Sequence, residues 1–300
     1  MNNPPDEPQP KICPHCGKTN RPLSKFCGYC GVSFATALAI TLAPQDLEDL
    51  KAAKLRLEYP SLAIKLTDLL GKPIEQGLQF LPAGWQDKVG DASRSALFKG
   101  LDYAIRTIGS PDAREPQDRL HQLLVTGAGA LGGALGLWTV LIELPVSTCI
   151  MLRSIADIAR SEGHDISKLD TKLACLEVFA LGGKSDTDDA AETGYWATRV
   201  ALATTLPEAV TQIAQRGILH EAASPLTRFI ATIAARFSIV VTEEAAATAV
   251  PIVGAVSGGL INLLFLNHFQ EMARGHFTIM RLETRYGTQL VQRTYKELAV

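Results

Sequence analysis

The chain has 300 residues, of which 47% are hydrophobic, and its formal net charge at pH 7 is -2. A chain of this length can bury a sizeable core, and its near-neutral charge argues against the broad basic surface of a nucleic-acid-binding protein. The first nine residues contain no apolar run, so we expect no secretory signal peptide and a reducing compartment in which disulfides are rare.

Four cysteines in two pairs follow residues 1–10, a segment that we expect to be disordered. Cys13 and Cys16 form the first Cys-x-x-Cys pair, and Cys27 and Cys30 form the second. Two such pairs match the tetrahedral four-thiolate site of a structural zinc ion, Zn²⁺, and no coordination position is left for a substrate. The sequence therefore predicts a zinc ribbon that serves as a docking module and has no catalytic role. We place this ribbon at residues 11–34.

Helical periodicity dominates the rest of the chain. From Pro44 onward apolar residues recur at helical spacing, and almost no segment alternates with a period of two. We predict an all-α helical domain over residues 44–300, with two glycine-rich hydrophobic helical segments, preceded by the small four-cysteine zinc ribbon. One of its helices is expected to run from Pro145 to Ala159.

The two glycine-rich segments, residues 120–142 and 245–270, contain no acidic residue, lysine or arginine. Each is long enough to cross a bilayer, and each has glycines four residues apart, a spacing that lets helix backbones approach closely. Three interpretations stay open: a buried helix pair in a soluble bundle, a hairpin that enters one leaflet, or a true membrane span. In each case we predict helix contacts at the same glycines, which are Gly129, Gly133, Gly254 and Gly258.

Several charged residues interrupt apolar helical runs of this domain. A buried charge needs a partner, because an unpaired one costs several kcal/mol. Arg153 and Asp157 are four residues apart and can pair along one helix. We predict that they lie in a buried or half-buried network with Glu143 or Arg199. Such a network can be a structural set of ion pairs, a ligand or peptide site, or a catalytic site.

A set of motifs in the helical region occurs in a characteristic order. They are the stretch from Leu144-Pro145 to Ala159, the run Leu176–Gly183, the run Val250–Gly259, and the closing pairs Arg281-Leu282 and Tyr286-Gly287. In order and spacing they resemble the EcsC family over about residues 42–300. The resemblance implies a bacterial protein with no known catalytic residues, from a family named for an ABC-transporter operon. The zinc ribbon lies outside the family pattern.

Membrane association without enzymatic activity is the function that we expect from these observations. The partner would be a membrane surface or a membrane protein complex such as an ABC transporter, and the location would be cytoplasmic, peripheral to the inner face of the membrane. Nucleic acid is not an expected partner. The alternative is a hydrolytic or ligand-processing enzyme within the helical domain. A pocket that holds a histidine with a carboxylate or thiol would favour the enzyme, whereas a contiguous exposed apolar face on the glycine-rich segments would favour the membrane.

Overall fold

A computed structural model describes residues 10–13, 16–22, 24–33, 42–58, 62–70, 74–109, 138–182, 194–218, 224–249 and 255–298. Within these ranges the chain forms eleven α-helices, one short 3₁₀ helix and two strands of two residues each. The prediction of an all-α fold preceded by a small cysteine-rich module is confirmed.

The strands β1 (Lys11–Ile12) and β2 (Thr19–Asn20) pair antiparallel in the cysteine-rich module. The 3₁₀ helix (Val178–Ala180) directly follows α6. The α-helices are α1 (Pro44–Glu58), α2 (Leu62–Leu70), α3 (Ile74–Leu78), α4 (Trp85–Thr107), α5 (Trp138–Ser161), α6 (Leu169–Glu177), α7 (Gly194–Ala203), α8 (Thr205–Arg216), α9 (Pro225–Ala249), α10 (Ala255–Tyr286) and α11 (Thr288–Glu297).

The chain divides into two compact units. One comprises the residues up to Leu55 together with those from Gly275 onward, and the other comprises Arg56–Arg274. The first unit thus includes the cysteine-rich module and α11, and the second includes most of the helices. The boundaries that we expect from the sequence, a ribbon at residues 11–34 and a helical domain at 44–300, stay a prediction.

In the first unit a buried carboxylate, that of Asp46, joins the start of α1 to the end of α10. Arg285 Nη1 donates to Asp46 Oδ2 at 2.9 Å, and the Tyr286 hydroxyl donates to the same oxygen at 2.6 Å. Arg281 Nη1 lies 3.5 Å from the other carboxylate oxygen, and Arg281 Nη2 donates to Asp49 at 2.8 Å. Because several donors surround it, Asp46 is a compensated buried charge.

The final helix, α11, contacts both α1 and the cysteine-rich module of the same unit. Lys54 Nζ donates to the carbonyl oxygens of Tyr295 at 3.0 Å and Leu298 at 2.7 Å. A cation at this position satisfies carbonyl groups that a helix C-terminus leaves without partners, and it complements the helix dipole. In the cysteine-rich module, Gly17 lies so close to Gln289 that an added Cβ would come within 2.8 Å of its amide nitrogen.

The core of the second unit is built around α9. Phe237 of this helix lies 5.0 Å from Phe179 and 5.6 Å from Phe269, measured between ring centroids, and Phe265 lies 5.2 Å from Phe269. Among the described residues, α9 is the one helix long and apolar enough to cross a membrane. Its Phe229 and Phe237 side chains are fully buried, which is typical of the core helix of a globular domain.

The prediction that a helix begins at Pro145 is wrong, because α5 begins at Trp138 and contains Pro145. An interior proline removes a hydrogen bond and costs about 3 kcal/mol, so tertiary contacts must offset it. Trp138 packs edge-on against Trp85 at 5.5 Å, and Lys88 Nζ lies 4.5 Å from the centre of the Trp138 ring. Both Trp85 and Lys88 belong to α4, against which α5 packs. These contacts extend the helix by two turns before the proline.

Three of the glycines predicted at helix contacts, Gly129, Gly133 and Gly254, lie outside the described residues. Gly258 lies in α10, but the structure does not describe what surrounds it. A different glycine makes such a contact in the second unit. Gly77 of α3 faces α9 so closely that a Cβ would overlap the carbonyl oxygen of Ala246 and lie 2.8 Å from its carbonyl carbon. The backbone of α9 cannot move away without disturbing the core, so this position requires glycine.

Replacing Gly77 with alanine should destabilise the protein by about 1–3 kcal/mol through overpacking, although alanine is the better helix former. The matched control is Gly90→Ala in α4, where the nearest atom to a new Cβ is the end of Arg94, 3.9 Å away. That control should gain up to about 1 kcal/mol. Thermal denaturation of both variants measures the difference. A Gly77→Ala variant as stable as the control would contradict the backbone contact.

Candidate functional site

The four N-terminal cysteines converge on one point. The Cys13 and Cys30 sulfurs are 3.6 Å apart, those of Cys16 and Cys27 are 3.5 Å apart, and all four lie within 4.8 Å of one another. In each Cys-x-x-Cys turn the amide of the following glycine donates to the carbonyl oxygen of the first cysteine, at 2.9 Å in both cases. The two turns are therefore built alike, and the four thiols can hold one metal ion.

Hydrogen bonds around Cys27 favour its thiolate form, which is the form that binds a metal. Asn20 Nδ2 donates to Cys27 Sγ at 3.4 Å, and Asn20 Oδ1 accepts from the Gly28 amide at 2.9 Å. Burial opposes ionisation of this thiol, yet the backbone amides of Tyr29 and Cys30, together with hydrogen bonds from the Cys16 and Cys30 thiols, lower the pKa of Cys27 to about 6. The second strand of the small sheet thus orients a metal ligand.

The second unit contains a cavity of about 40 Å³ between α5, α9 and α10. Glu143 and Ser147 of α5, Glu244 of α9 and Asn262 of α10 are its polar lining residues, and the rest of the described lining is apolar. We call this space the carboxylate cavity. Neither a histidine nor a cysteine is among its described lining residues.

Ionisation is disfavoured for both carboxyl groups of the carboxylate cavity. Burial raises the pKa of Glu143. Burial also raises the pKa of Glu244 to about 8, and the negative charge of Glu143 adds to that shift. Glu244 is 6% exposed, and its carboxylate has no hydrogen bond or ion pair within the described part of the chain. At neutral pH this pair therefore needs a proton or a bound cation to offset its charge.

A comparison with protein-family models matches residues 63–282 to the EcsC protein family. The chain belongs to the EcsC family. The matched region begins in α2 and ends in α10, so it includes all four polar residues of the carboxylate cavity and excludes the four cysteines. Neither curated proteins nor solved structures give a match to this chain.

Within the EcsC region, Arg199 lies beside Glu177. The Arg199 guanidinium carbon lies 5.2 Å from the centre of the Trp196 ring and 5.7 Å from the centre of the Tyr195 ring. Burial raises the pKa of Glu177 to about 7, and the positive charge of Arg199 lowers it in part. Sequence reasoning missed Glu177. The sequence did contain a signal for it, because Glu177 is a single acidic residue in the apolar run Leu176–Leu181, and this run is one of the motifs that resemble the EcsC family.

The remaining members of the predicted polar network lie in the second half of α5 of the EcsC region. Asp157 forms an ion pair with Arg160, one turn further along, at 3.1 Å. Arg153 is half-buried, and its Nε atom has no hydrogen-bond partner within the described ranges. The structure thus brings Glu143 close to Glu244, which was not part of the predicted network. The network of Arg153 and Asp157 with Glu143 or Arg199 stays a prediction.

Proposed function

We propose that this EcsC-family protein is a non-enzymatic accessory protein that associates with the cytoplasmic face of a bacterial membrane. One observation carries the proposal: three large apolar side chains of α5 are exposed at successive turns. Trp138 is 47% exposed, Ile142 75% and Val146 64%. Residues four apart lie on the same face of a helix, so these three form one line, which we call the apolar stripe.

Two further exposed apolar side chains lie on a helix that neighbours α5. Leu260 and Leu263 of α10 are 46% and 37% exposed. Because α5 and α10 line the same cavity, these leucines lie on a helix that neighbours the stripe. The stripe begins in one of the two glycine-rich segments, and the leucines belong to the other. Fully transferring one such side chain out of water contributes about 1.5–3 kcal/mol, so a few together suffice for reversible attachment to a bilayer.

The cysteine-rich module is suited to docking. Its side chains Ile12, Phe26 and Tyr29 are 61%, 62% and 71% exposed, so they are available to a partner. Exposed cations accompany them, namely Lys11, Lys18, Arg21 and Lys25. We propose that the four thiolates bind structural zinc, whose tetrahedral site requires sulfurs about 3.8 Å apart for a Zn–S length of about 2.3 Å. The module would then bind an acidic surface of a membrane protein complex such as a transporter.

Co-flotation with liposomes tests the membrane proposal. The wild-type chain should float with vesicles of phosphatidylethanolamine and phosphatidylglycerol. The double substitution Ile142→Asn/Val146→Asn should weaken binding by at least about tenfold, because two exposed side chains lose their transfer free energy. The matched control is Leu55→Asn, which removes another exposed apolar side chain, 44% exposed, from α1. It should float as the wild type does. Equal flotation of the double variant, or none of the wild type, would contradict the proposal.

A hydrolytic or ligand-processing enzyme is the second candidate, and the carboxylate cavity is the observation that favours it. Two carboxyl groups that line one cavity are an arrangement used in general acid–base catalysis. The cavity nevertheless lacks a histidine or thiol among its described lining residues, so a nucleophile of the usual kinds does not accompany the pair. We therefore place this candidate second.

A further inference from the structure

The carboxylate cavity has properties that membrane attachment does not require. Three helices meet there, and each supplies at least one oxygen-bearing side chain: Glu143 and Ser147 from α5, Glu244 from α9 and Asn262 from α10. The volume of about 40 Å³ is enough for about three water molecules, since each needs roughly 10–15 Å³. The space is thus large enough for a partly hydrated ion.

The buried carboxylate of Glu244 is the feature that points to a ligand. It is 6% exposed and lines the cavity, and within the described part of the chain no donor contacts it. Buried charged groups in native proteins are paired or coordinate metals, because an uncompensated one is costly. Glu143, which lines the same cavity, carries the same sign of charge and increases that cost.

We propose that the carboxylate cavity binds one hard divalent cation of the Mg²⁺, Mn²⁺ or Ca²⁺ class. Glu143 and Glu244 would supply two negative charges, and the amide oxygen of Asn262 would supply a neutral ligand. Oxygen ligands of this kind select these cations, whereas soft metals prefer thiolate and imidazole groups, which the described lining lacks. Mg²⁺ in particular keeps several waters and uses one or two carboxylates, which suits the size of the cavity.

Ser147 is oriented so that its oxygen can join the site. Its hydroxyl donates to the backbone carbonyl oxygens of Glu143 at 3.2 Å and Leu144 at 3.1 Å. The proton is therefore directed into the helix, and the lone pairs of Oγ are available to accept from a coordinated water or to contact the cation. A cation held in this way would connect α5, α9 and α10 of the second unit.

Cation binding to the full-length protein tests this inference directly. After exhaustive dialysis into buffer free of divalent cations, the protein is titrated with Mn²⁺ and the free ion is followed by its electron paramagnetic resonance signal. We expect one saturable site per chain outside the cysteine cluster, with competition by Mg²⁺ or Ca²⁺. Glu244→Gln and Glu143→Gln should each weaken Mn²⁺ binding by at least about tenfold, because each removes a charged ligand.

Two further variants keep the test informative if a glutamate substitution disturbs folding. Asn262→Ala removes a neutral ligand and should also weaken Mn²⁺ binding, whereas Glu48→Gln removes an exposed carboxylate of α1 and should leave it unchanged. A loss of binding in Glu244→Gln and Asn262→Ala but not in Glu48→Gln supports the site. The absence of saturable Mn²⁺ binding by the wild type, or unchanged binding by Glu244→Gln, would overturn it and leave a carboxyl pair that only shares a proton.

Discussion

Substitution of Cys13 and Cys30 by serine is expected to abolish zinc binding and to unfold the cysteine-rich module. Only two strands of two residues each are described there, and its buried core consists of Cys13 and Cys27 with the other two cysteines packed against them. Without a metal such a module has little apolar area to bury. For structural zinc sites of this kind the binding free energy, about 10–16 kcal/mol, is also the folding free energy. The loss of zinc should therefore be all-or-none.

Metal analysis and limited proteolysis together measure this effect. The wild type should contain one zinc per chain, and Cys13→Ser/Cys30→Ser should contain none and should be cleaved within residues 11–33. The far-ultraviolet circular dichroism should keep its helical signal, because every described α-helix begins at Pro44 or later. Cys149→Ser is the matched control, since this free cysteine lies on α5 and is not one of the four clustered cysteines. Stoichiometric zinc in the double variant would refute the assignment of the ligands.

Replacing Glu244 with glutamine is expected to remove a large part of the pH dependence of stability. The folded-state pKa of Glu244, about 8, lies above the ordinary value of 4.5. Between these values the folded protein retains a proton that the unfolded chain has lost, so unfolding releases it. The contribution to stability is therefore complete below about pH 4.5, falls as pH rises, and is lost above about pH 8. The expected slope is on the order of 1 kcal/mol per pH unit.

Glutamine has nearly the same shape as glutamic acid but does not ionise. In buffer free of divalent cations, Glu244→Gln should have about the wild-type stability near pH 5 and should exceed it by several kcal/mol near pH 8. Urea denaturation across this range provides the measurement. Glu48→Gln, at an exposed position, should follow the wild type at every pH. Parallel pH profiles for the wild type and Glu244→Gln would show that the Glu244 carboxyl is not buried against a like charge.

Local patterns in the sequence were sufficient to predict much of the fold. The two cysteines of each Cys-x-x-Cys pair are only three residues apart, and the two pairs are close in the chain. Their spacing alone therefore predicts the cluster that Cys13, Cys16, Cys27 and Cys30 form. Apolar periodicity predicts the helices for the same reason, since each helix places a stripe of apolar residues towards the core. The EcsC resemblance was confirmed over residues 63–282.

Features that depend on tertiary packing could not be predicted in this way. The helix through Pro145 is stabilised by Trp85, which comes from another helix and outweighs the local preference of proline. The proximity of Glu143 to Glu244 and the contact of Gly77 with Ala246 join residues that are far apart in the chain. A single sequence contains no signal for such pairings, because helix periodicity specifies which face is buried but not which helix covers it.

The position of Trp138 at one end of the apolar stripe allows a direct test of membrane association. The other two tryptophans, Trp85 and Trp196, are each 3% exposed. The variant Trp85→Phe/Trp196→Phe therefore reports on Trp138 alone, and Trp85→Phe/Trp138→Phe reports on a buried tryptophan as its control. Both are mixed with vesicles of phosphatidylethanolamine and phosphatidylglycerol whose acyl chains carry bromine, which quenches fluorescence on contact. We predict strong quenching of Trp138 and none of Trp196. Fluorescence of Trp138 that is the same in brominated and unbrominated vesicles would contradict attachment through the apolar stripe.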